Sequence, residues 1–313
     1  MNSVPLESAE PQAIHQLHEI HPLRHVQRIV CFIALHFIAT NIALIEVNLP
    51  GVMKVPILIA CWLTAGASLH GISLFTHEAV HGTLCRRRVL NDIVGALCAF
   101  PVLQTCAAYR VLHLRHHRHL GDAGDPDHYE NYTQWTWMVF IMNWLRLFIG
   151  YPVYITMIPI LGFRQGTRVD RIWIVGEVCA LAALVAAIVM SPIPLPWIVH
   201  GWIIPMLFIN TMVNIRGMSQ HTLLEHAKDP IQGTRSILTN GLVRFFMCNE
   251  NYHLEHHLYP GVPWHGLPQL HAMLQSELTK RGAPFIGSYL AFVREFLIHS
   301  LRRSPFGRRS LRQ

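Results

Sequence analysis

Four long apolar segments, separated by polar stretches, dominate the pattern of this 313-residue chain. They comprise residues 29–48, 52–75, 172–190 and 195–215. Each is long enough to cross the hydrocarbon core of a bilayer, which is about 30 Å thick. Only residues 49–51 join the first pair, and only the sequence SPIP at 191–194 joins the second. Each pair is therefore predicted to form a hairpin that crosses the membrane and returns.

Two further apolar stretches, 89–109 and 134–162, fit a membrane span less well. The second contains Asn143, Arg146 and Pro152. Because a single crossing by either stretch would separate the histidine clusters described below, both are predicted to be interfacial or re-entrant helices. The predicted fold is an all-α integral membrane protein with four transmembrane helices in two hairpins, interfacial helices and a cytoplasmic histidine-rich cap.

Composition and charge support this prediction and orient it. Hydrophobic residues make up 51% of the chain and charged residues only 14%, against roughly 25% charged in an average soluble domain. Lys54 is the only basic residue near the predicted hairpin tips. The arginines near the other ends of the spans are Arg24, Arg28, Arg86, Arg87, Arg88, Arg164, Arg168, Arg171, Arg216, Arg235 and Arg244. By the positive-inside rule, that side is cytoplasmic.

The formal net charge of +7 and the basic sequence LRRSPFGRRSLRQ at the C-terminal end suit an anionic membrane surface. No nucleic-acid partner is predicted, because no nucleic-acid-binding motif accompanies the basic residues.

Histidines form three clusters at the predicted cytoplasmic side. The clusters are His77 and His81, then His113, His116 and His117, then His253, His256 and His257. Residues four apart share one helix face, whereas the middle member of each triplet lies about 100° from its neighbour. Each triplet could therefore present imidazoles to two metal ions.

The number of imidazoles also favours two ions. Imidazole suits iron, zinc, copper and nickel, and His221, in RGMSQH, is a ninth candidate ligand. Nine ligands exceed the four that one zinc takes. Acidic residues next to the clusters could accept hydrogen bonds from the second ring nitrogens. These candidates are Glu78, Asp122, Asp125, Asp127 and Glu255.

The remaining histidines are not predicted to be ligands. Those of the N-terminal segment, namely His15, His18, His21 and His25, are predicted to be solvated. A second set lies close enough to the clusters to support the ligands: His119, His128, His226, His265 and His271.

Three motifs carry a family resemblance. The sequences HEAVHG, HLRHHRHLGDAGDPDH and NYHLEHHLYPGVPW resemble the histidine boxes of the membrane fatty acid desaturase superfamily, over about 70–275. This superfamily includes acyl-lipid and acyl-carrier desaturases, hydroxylases and carotenoid ketolases. Three residues separate the histidines of the first box, which is similar to bacterial members and carotenoid ketolases. The resemblance implies a multi-pass protein of a bacterial inner membrane, with its active site on the cytoplasmic side.

The resemblance further implies a non-haem di-iron centre (Fe2+/Fe3+) with O2 as co-substrate. Its implied ligands are His77, His81, His113, His116, His117, His253, His256, His257 and His221. His226 is the rival of His221 for the ninth place, and no catalytic residue beyond the ligands is implied.

The implied partners are membrane lipids, a lipid or acyl substrate and an electron donor. The acyl chain would occupy an apolar tunnel to which Trp62, Phe75 and Trp202 could contribute, although core packing is the favoured role of each. A haem-binding HPGG segment is lacking. We therefore expect a separate donor of ferredoxin, rubredoxin or cytochrome b5 type, with its reductase.

The predicted organisation has three parts. Residues 1–28 form a polar cytoplasmic N-terminal segment without the apolar region of a signal peptide. Residues 29–285 form a desaturase-like membrane domain with a cytoplasmic di-iron site. Residues 286–313 form a basic C-terminal tail.

Four functions remain open on these motifs. The first is a fatty acyl desaturase that introduces a double bond, and the second is a hydroxylase or ketolase on the same scaffold. The third is an intramembrane zinc protease, because HEAVH matches H-E-x-x-H with Glu78 as the general base. The last is a metal transporter, although its ionisable groups would be expected within the spans and not at their ends.

Overall fold

The computed structural model describes residues 11–46, 51–127, 133, 135–224 and 227–302, and these are predominantly α-helical. The helices are α1 (Pro11–Leu17), α2 (Pro22–Glu46), α3 (Gly51–His81), α4 (Arg88–Ala99), α5 (Cys106–His119), α6 (Thr136–Gln165), α7 (Arg168–Met190), α8 (Leu195–His221), α9 (Pro230–Gly233), α10 (Gly241–Phe246), α11 (His253–Leu258), α12 (Leu267–Lys280) and α13 (Tyr289–Arg302). Two short strands, β1 (Ser236–Ile237) and β2 (Phe285–Ile286), pair in parallel.

The first predicted hairpin is formed by α2 and α3. Gly71 allows the close packing of these helices, because a Cβ atom at this position would lie 2.5 Å from the ring of Phe32. Helix α3 continues six residues beyond the predicted end of its span, so His77 and His81 lie on its last turns. A continuous helix therefore fixes the first histidine pair to a membrane-spanning segment.

Helices α4 and α5 form a bent pair with an angle of 102° between them. Helix α4 begins close to the end of α3, where the Asn91 amide donates to the carbonyl of Ala79 at 2.7 Å. The turn between α4 and α5 reaches back along α3, where Val102 packs in one apolar cluster with Leu69. Helix α5 then returns towards the end of α3 and carries the second histidine cluster.

Five helices of the described residues are long and apolar enough to cross a membrane, one more than the four predicted segments. The additional helix is α6, of which 140–165 passes this test, although it was predicted to be interfacial. It is bent at Ile149, whose backbone is not helical. The Tyr151 hydroxyl beyond this bend donates to the carbonyl of Val102 at 2.7 Å, so α6 packs against the α4–α5 turn.

Helices α7 and α8 correspond to the second predicted hairpin. A capping box of Thr167 and Asp170 starts α7, and this helix packs against α5 and α6 through Ile174. Helix α8 crosses α3 closely, because a Cβ atom at Gly66 would lie 2.9 Å from the carbonyl oxygen of Pro205. It continues past 215, the predicted end of the span, and His221 is its last residue.

The remaining elements cover the histidine-bearing ends of the long helices. Ile14 and Leu17 of α1 are buried in a cluster with α11 and α12, so part of the N-terminal segment predicted to be polar packs into the molecule. Phe292 and Phe296 of α13 pack on Met218 of α8. The predicted basic tail therefore begins with a strand and a packed helix, and residues 303–313 lie outside the described residues.

Candidate metal centre

Four separate elements bring nine histidines to one place. Helix α3 supplies His77 and His81, helix α5 supplies three, α8 supplies His221 and α11 supplies three. Their ring nitrogens divide into two groups that lie side by side. His117 and His257 join the groups, since their rings stack with centroids 4.1 Å apart.

The first histidine group contains five imidazoles, each with a nitrogen within 4.8 Å of the others: His77, His81, His113, His117 and His256. The Nε2 atom of His113 lies 3.0 Å from the Nε2 atoms of both His81 and His117. The Nε2 atom of His256 lies 3.2 Å from that of His117. Five imidazole nitrogens thus surround one position.

The second histidine group contains His116, His221, His253 and His257. The Nε2 atom of His221 lies 3.2 Å from the Nε2 atoms of both His116 and His253. The Nε2 atom of His257 lies 3.1 Å from that of His253. His226, the rival of His221, lies outside the described residues.

The hydrogen bonds of the second group show that its nitrogens fit a metal ion. The Nδ1 atom of His116 faces Asp125 Oδ1 at 2.9 Å, and that of His221 faces the carbonyl oxygen of Gly233 at 3.0 Å. Both acceptors require a proton on Nδ1. Burial lowers the pKa of His116, but the hydrogen bond to Asp125 outweighs burial and raises this pKa; when both rings are neutral, each Nε2 carries a lone pair. Two lone pairs 3.2 Å apart repel each other unless a cation lies between them. This donor arrangement is the one that protein ligands of a metal commonly adopt.

Burial keeps the imidazoles of α11 in the form that binds metal. The exposed surface of His256 is 2% and that of His257 is 8%. Desolvation lowers the pKa of both rings well below its usual value, and it lowers the pKa of His253 to about 4. These three rings are therefore neutral at physiological pH, with lone pairs available.

The acidic residues predicted to support the ligands behave differently from one another. Asp125 contacts His116 as described above, and Asp127 lies 3.8 Å from the same nitrogen. Asp122 instead forms an exposed ion pair with Lys228 at 3.3 Å. Only the first two of these aspartates therefore support a histidine ring.

Glu78 and Glu255 form their hydrogen bonds with other parts of the protein framework, although Glu78 also lies in a buried group with His77 and Glu250, with atoms within 4.8 Å of one another. The Glu78 carboxylate accepts from the Thr83 hydroxyl at 2.7 Å and from the backbone N–H of Trp264 at 3.2 Å. Glu255 accepts from Ser236 and contacts the Nδ1 atom of His271. Glu78 thus ties the first histidine box to the third.

A cavity of about 450 Å³ borders both histidine groups, a size typical of small-molecule sites. His113 of the first group and His221 of the second lie in its wall. Helix α6 contributes more apolar residues to the wall than any other helix, including Leu145, Ile149, Val153 and Met157. The arrangement would hold an apolar ligand beside the imidazoles.

Comparison with known families is decisive for the class of the protein. The model of the fatty acid desaturase family matches residues 54–289, which is most of the chain and includes every histidine of both groups. The chain belongs to the fatty acid desaturase family. It is therefore an oxidoreductase, and its long apolar helices make it a multi-pass membrane protein.

Individual members of the family are distant from this chain. The sn-1 oleoyl-lipid 12-desaturase of Arthrospira platensis is 21% identical over 72% of the chain and 71% of its own length. The ferredoxin-type sn-1 acyl-lipid omega-3 desaturase of a Synechocystis strain is 22% identical, over 74% and 68%. The zeaxanthin 4-ketolase of Chlamydomonas reinhardtii is 28% identical, over 71% and 48%.

The structure places one acidic residue of this chain, Glu250, beside the histidines, although the sequence analysis did not predict it. Glu250 has 1% of its surface exposed, and its Oε1 atom lies 3.0 Å from His77 Nδ1. Burial by itself would raise the pKa of Glu250, but the nearby His77 and His253 outweigh burial and hold this pKa well below its usual range. Its position three residues before His253 is the sequence signal that could have identified it.

One prediction about other residues is wrong, and the core packing expected of three aromatic residues is observed. His25 is not solvated: it is 3% exposed and accepts from the Trp264 indole at 3.0 Å. Phe75 packs in a closed apolar core, and the Trp62 indole donates to His200. Trp202 packs against Tyr151 and likewise does not line the cavity, so the three aromatic residues have packing roles.

Proposed function

We propose that the protein is an O2-dependent non-haem di-iron desaturase that introduces a double bond into the acyl chain of a lipid. One observation carries this proposal: two groups of buried imidazoles lie side by side at the wall of an apolar cavity. The nine histidines predicted from the sequence would be the ligands, five for one ion and four for the other. Iron bound there would supply the O2 activation needed to remove hydrogen from unactivated C–H bonds.

The protein residues would orient the acyl chain and exclude water. Apolar side chains of α6 and α5 would hold adjacent methylene groups against the histidine groups, so that the cavity decides which carbons react. The overall reaction removes two hydrogen atoms from the chain. O2, with two electrons and two protons from the donor system, is reduced to two water molecules.

The surface of α6 supports a lipid as the substrate. Leu145, Ile149, Val153 and Met157 recur every four residues and are 46%, 49%, 53% and 41% exposed. The same four residues line the cavity, so this helix face is the apolar rim of the cavity. A membrane lipid could insert an acyl chain past this rim from the bilayer.

We further propose four membrane crossings, with the centre on the cytoplasmic side. Both parts of α6 approach the histidine-bearing ends of other helices: Arg146 lies beside Gly217, and Gly166 lies beside Val111. Helix α6 would then start and finish on one side of the membrane, as the interfacial prediction requires. The basic residues predicted on that side place it in the cytoplasm, in the inner membrane of a bacterium.

The electron donor is proposed to be a separate ferredoxin-type protein with its reductase. The similar Synechocystis enzyme carries the word ferredoxin in its name, which supports this choice over a rubredoxin or a cytochrome b5.

A ketolase or hydroxylase is the second candidate function. The similarity to a zeaxanthin 4-ketolase favours it, as do the polar Arg216 and Gln220 in the cavity wall. Such an enzyme would add oxygen to the substrate, whereas a desaturase removes two hydrogen atoms.

Product analysis tests the proposal. The chain would be expressed in a bacterial host that supplies ferredoxin and its reductase, and total lipids would be compared by mass spectrometry with those of an empty-vector host. A desaturase yields acyl chains lighter by two hydrogens, and the His113→Ala variant serves as the inactive control. A product gaining one oxygen would contradict desaturation and support the second candidate.

A further inference from the structure

One buried carboxylate lies between the two histidine groups and contacts both. Glu250 Oε1 lies 3.0 Å from Nδ1 of His77, which belongs to the first histidine group. Glu250 Oε2 lies 3.7 Å from Nδ1 of His253, which belongs to the second. In His253 the nitrogen that faces Glu250 is Nδ1, whereas its Nε2 atom faces His221 and His257 of the second group.

The same carboxylate also reaches the wall of the cavity. Arg216 Nη1 lies 3.4 Å from Glu250 Oε2, and Arg216 is one of the residues that line the cavity. Glu250 therefore has a positively charged neighbour in addition to the two imidazoles. This ion pair lowers the cost of burying the carboxylate in the protein interior.

The backbone before Glu250 is held in an unfavourable conformation. Cys248 and Asn249 have φ angles of 44° and 57°, in the left-handed region that non-glycine residues rarely adopt. Asn249 is fixed there by its side-chain amide, which donates to the carbonyl of Trp264 at 3.0 Å. Backbone strain of this kind persists only where the surrounding structure enforces it, and it is concentrated at functional sites. Its local result is to direct Glu250 into the space between the histidine groups.

A carboxylate in this position has two effects on the imidazoles. Although neither contact has the geometry of a hydrogen bond, its negative charge favours a proton on the Nδ1 atom that faces it, which leaves a lone pair on Nε2. Its negative charge also offsets the charge of cations bound nearby in a poorly solvated site. Because one side chain faces a ring of each group, both effects act on both metal positions.

We propose that Glu250 is a positioning residue shared by the two metal positions, which it couples to each other and to Arg216 in the substrate cavity. This inference rests on the proposed di-iron function. Asp125 differs from Glu250 in a useful way, because it contacts His116 of the second group and so acts on one position.

The test is a titration in which Co2+ is added to the metal-free full chain in detergent. Binding is monitored by calorimetry and by the visible absorption of bound Co2+. The wild-type chain is expected to bind two equivalents. Glu250→Gln should weaken both binding events by about 10–100-fold, the usual effect of losing such a partner. The matched variant Asp125→Asn should weaken one event and leave the other near the wild-type affinity.

Failure of this inference is distinguishable from failure of the proposed function. A wild-type chain that binds fewer than two Co2+ ions would contradict the di-iron function itself. If the wild-type chain binds two Co2+ ions, two results for Glu250→Gln would overturn the shared role of Glu250. One is that the variant binds both ions with the wild-type affinity, and the other is that only one of the two binding events is weakened. If Glu250→Gln does not fold, Glu250→Asp decides in its place. Glu250→Asp keeps the negative charge but moves the carboxylate away from the imidazoles by about one bond length, roughly 1.5 Å. Unchanged binding of both Co2+ ions by this variant would overturn the inference.

Discussion

At the scale of single residues, the chemistry of the site depends on which ring nitrogen of each histidine carries the proton. Asp125 and the carbonyl of Gly233 settle this for His116 and His221. The sequence predicted the eight box histidines from their spacing and His221 from its place after the fourth span, and the structure brings these nine residues together. Their buried partner Glu250 was not predicted, because one acidic residue near a histidine box does not reveal where its side chain points. The same limit explains His25, whose burial depends on Trp264 from a distant part of the chain.

Removing one ligand from either histidine group should abolish activity without unfolding the protein. His113→Ala, in the first group, and His253→Ala, in the second, are expected to insert in the membrane and elute as the wild-type chain does, with turnover below detection and reduced iron content. His15→Ala is the control, since His15 is exposed on α1. Lipid profiles and iron analysis of the purified variants provide the measurement. Wild-type turnover in either ligand variant contradicts the shared centre.

Glu255 should matter for stability and not for the metal. Its carboxylate is fully buried and is bonded to Ser236 and His271, so Glu255→Ala should destabilise the protein by about 1–3 kcal/mol by leaving polar groups unpaired. Asp122→Ala, which removes an exposed ion pair and a hydrogen bond from the Ala123 N–H, should leave the stability close to that of the wild-type chain. Unfolding of both variants in detergent, monitored by circular dichroism, measures the difference. Equal stability of the two would contradict the packing role of Glu255.

At the scale of elements, the site is built where helices end. Hydropathy located the apolar parts of α3 and α8 well, but both helices continue to His81 and His221 because polar residues can extend a helix beyond the membrane. Hydropathy is least informative for α6, which has the composition of a span and yet approaches the histidine-bearing helix ends with both its parts. Its placement depends on contacts with α5 and α8, which sequence periodicity does not contain.

The contact between α5 and α6 can be tested with a pair of glycine substitutions. A Cβ atom at Gly162 of α6 would lie 2.8 Å from the Ala108 Cα atom of α5, whereas one at Gly176 of α7 would meet nothing within 4 Å. Gly162→Ala should therefore separate the helices, destabilise the protein by about 1–3 kcal/mol and reduce turnover by moving the second histidine cluster. Gly176→Ala should be neutral or stabilising by up to about 1 kcal/mol. Melting temperature and turnover of the two variants are the measurements, and equal behaviour would argue against this packing.

At the scale of the whole molecule, four pieces of chain that are far apart in sequence meet at one end of a helical membrane protein. The sequence predicted that these pieces come together, because all three histidine boxes were predicted to lie on the cytoplasmic side of the membrane. The cavity could not be predicted in the same way. Its wall combines residues of α5, α6 and α8 with histidines of α3 and α11, and Trp62, Phe75 and Trp202 pack elsewhere, in line with the core role expected of them.

The most direct test of the central claim is the iron content of the purified protein. The chain, expressed in iron-supplemented medium and purified in detergent without chelator, would be analysed by inductively coupled plasma mass spectrometry against its amino-acid content. The two histidine groups predict close to two iron ions per chain and little zinc. One zinc ion per chain, or a single metal ion of any kind, would contradict a paired iron centre built from these nine histidines.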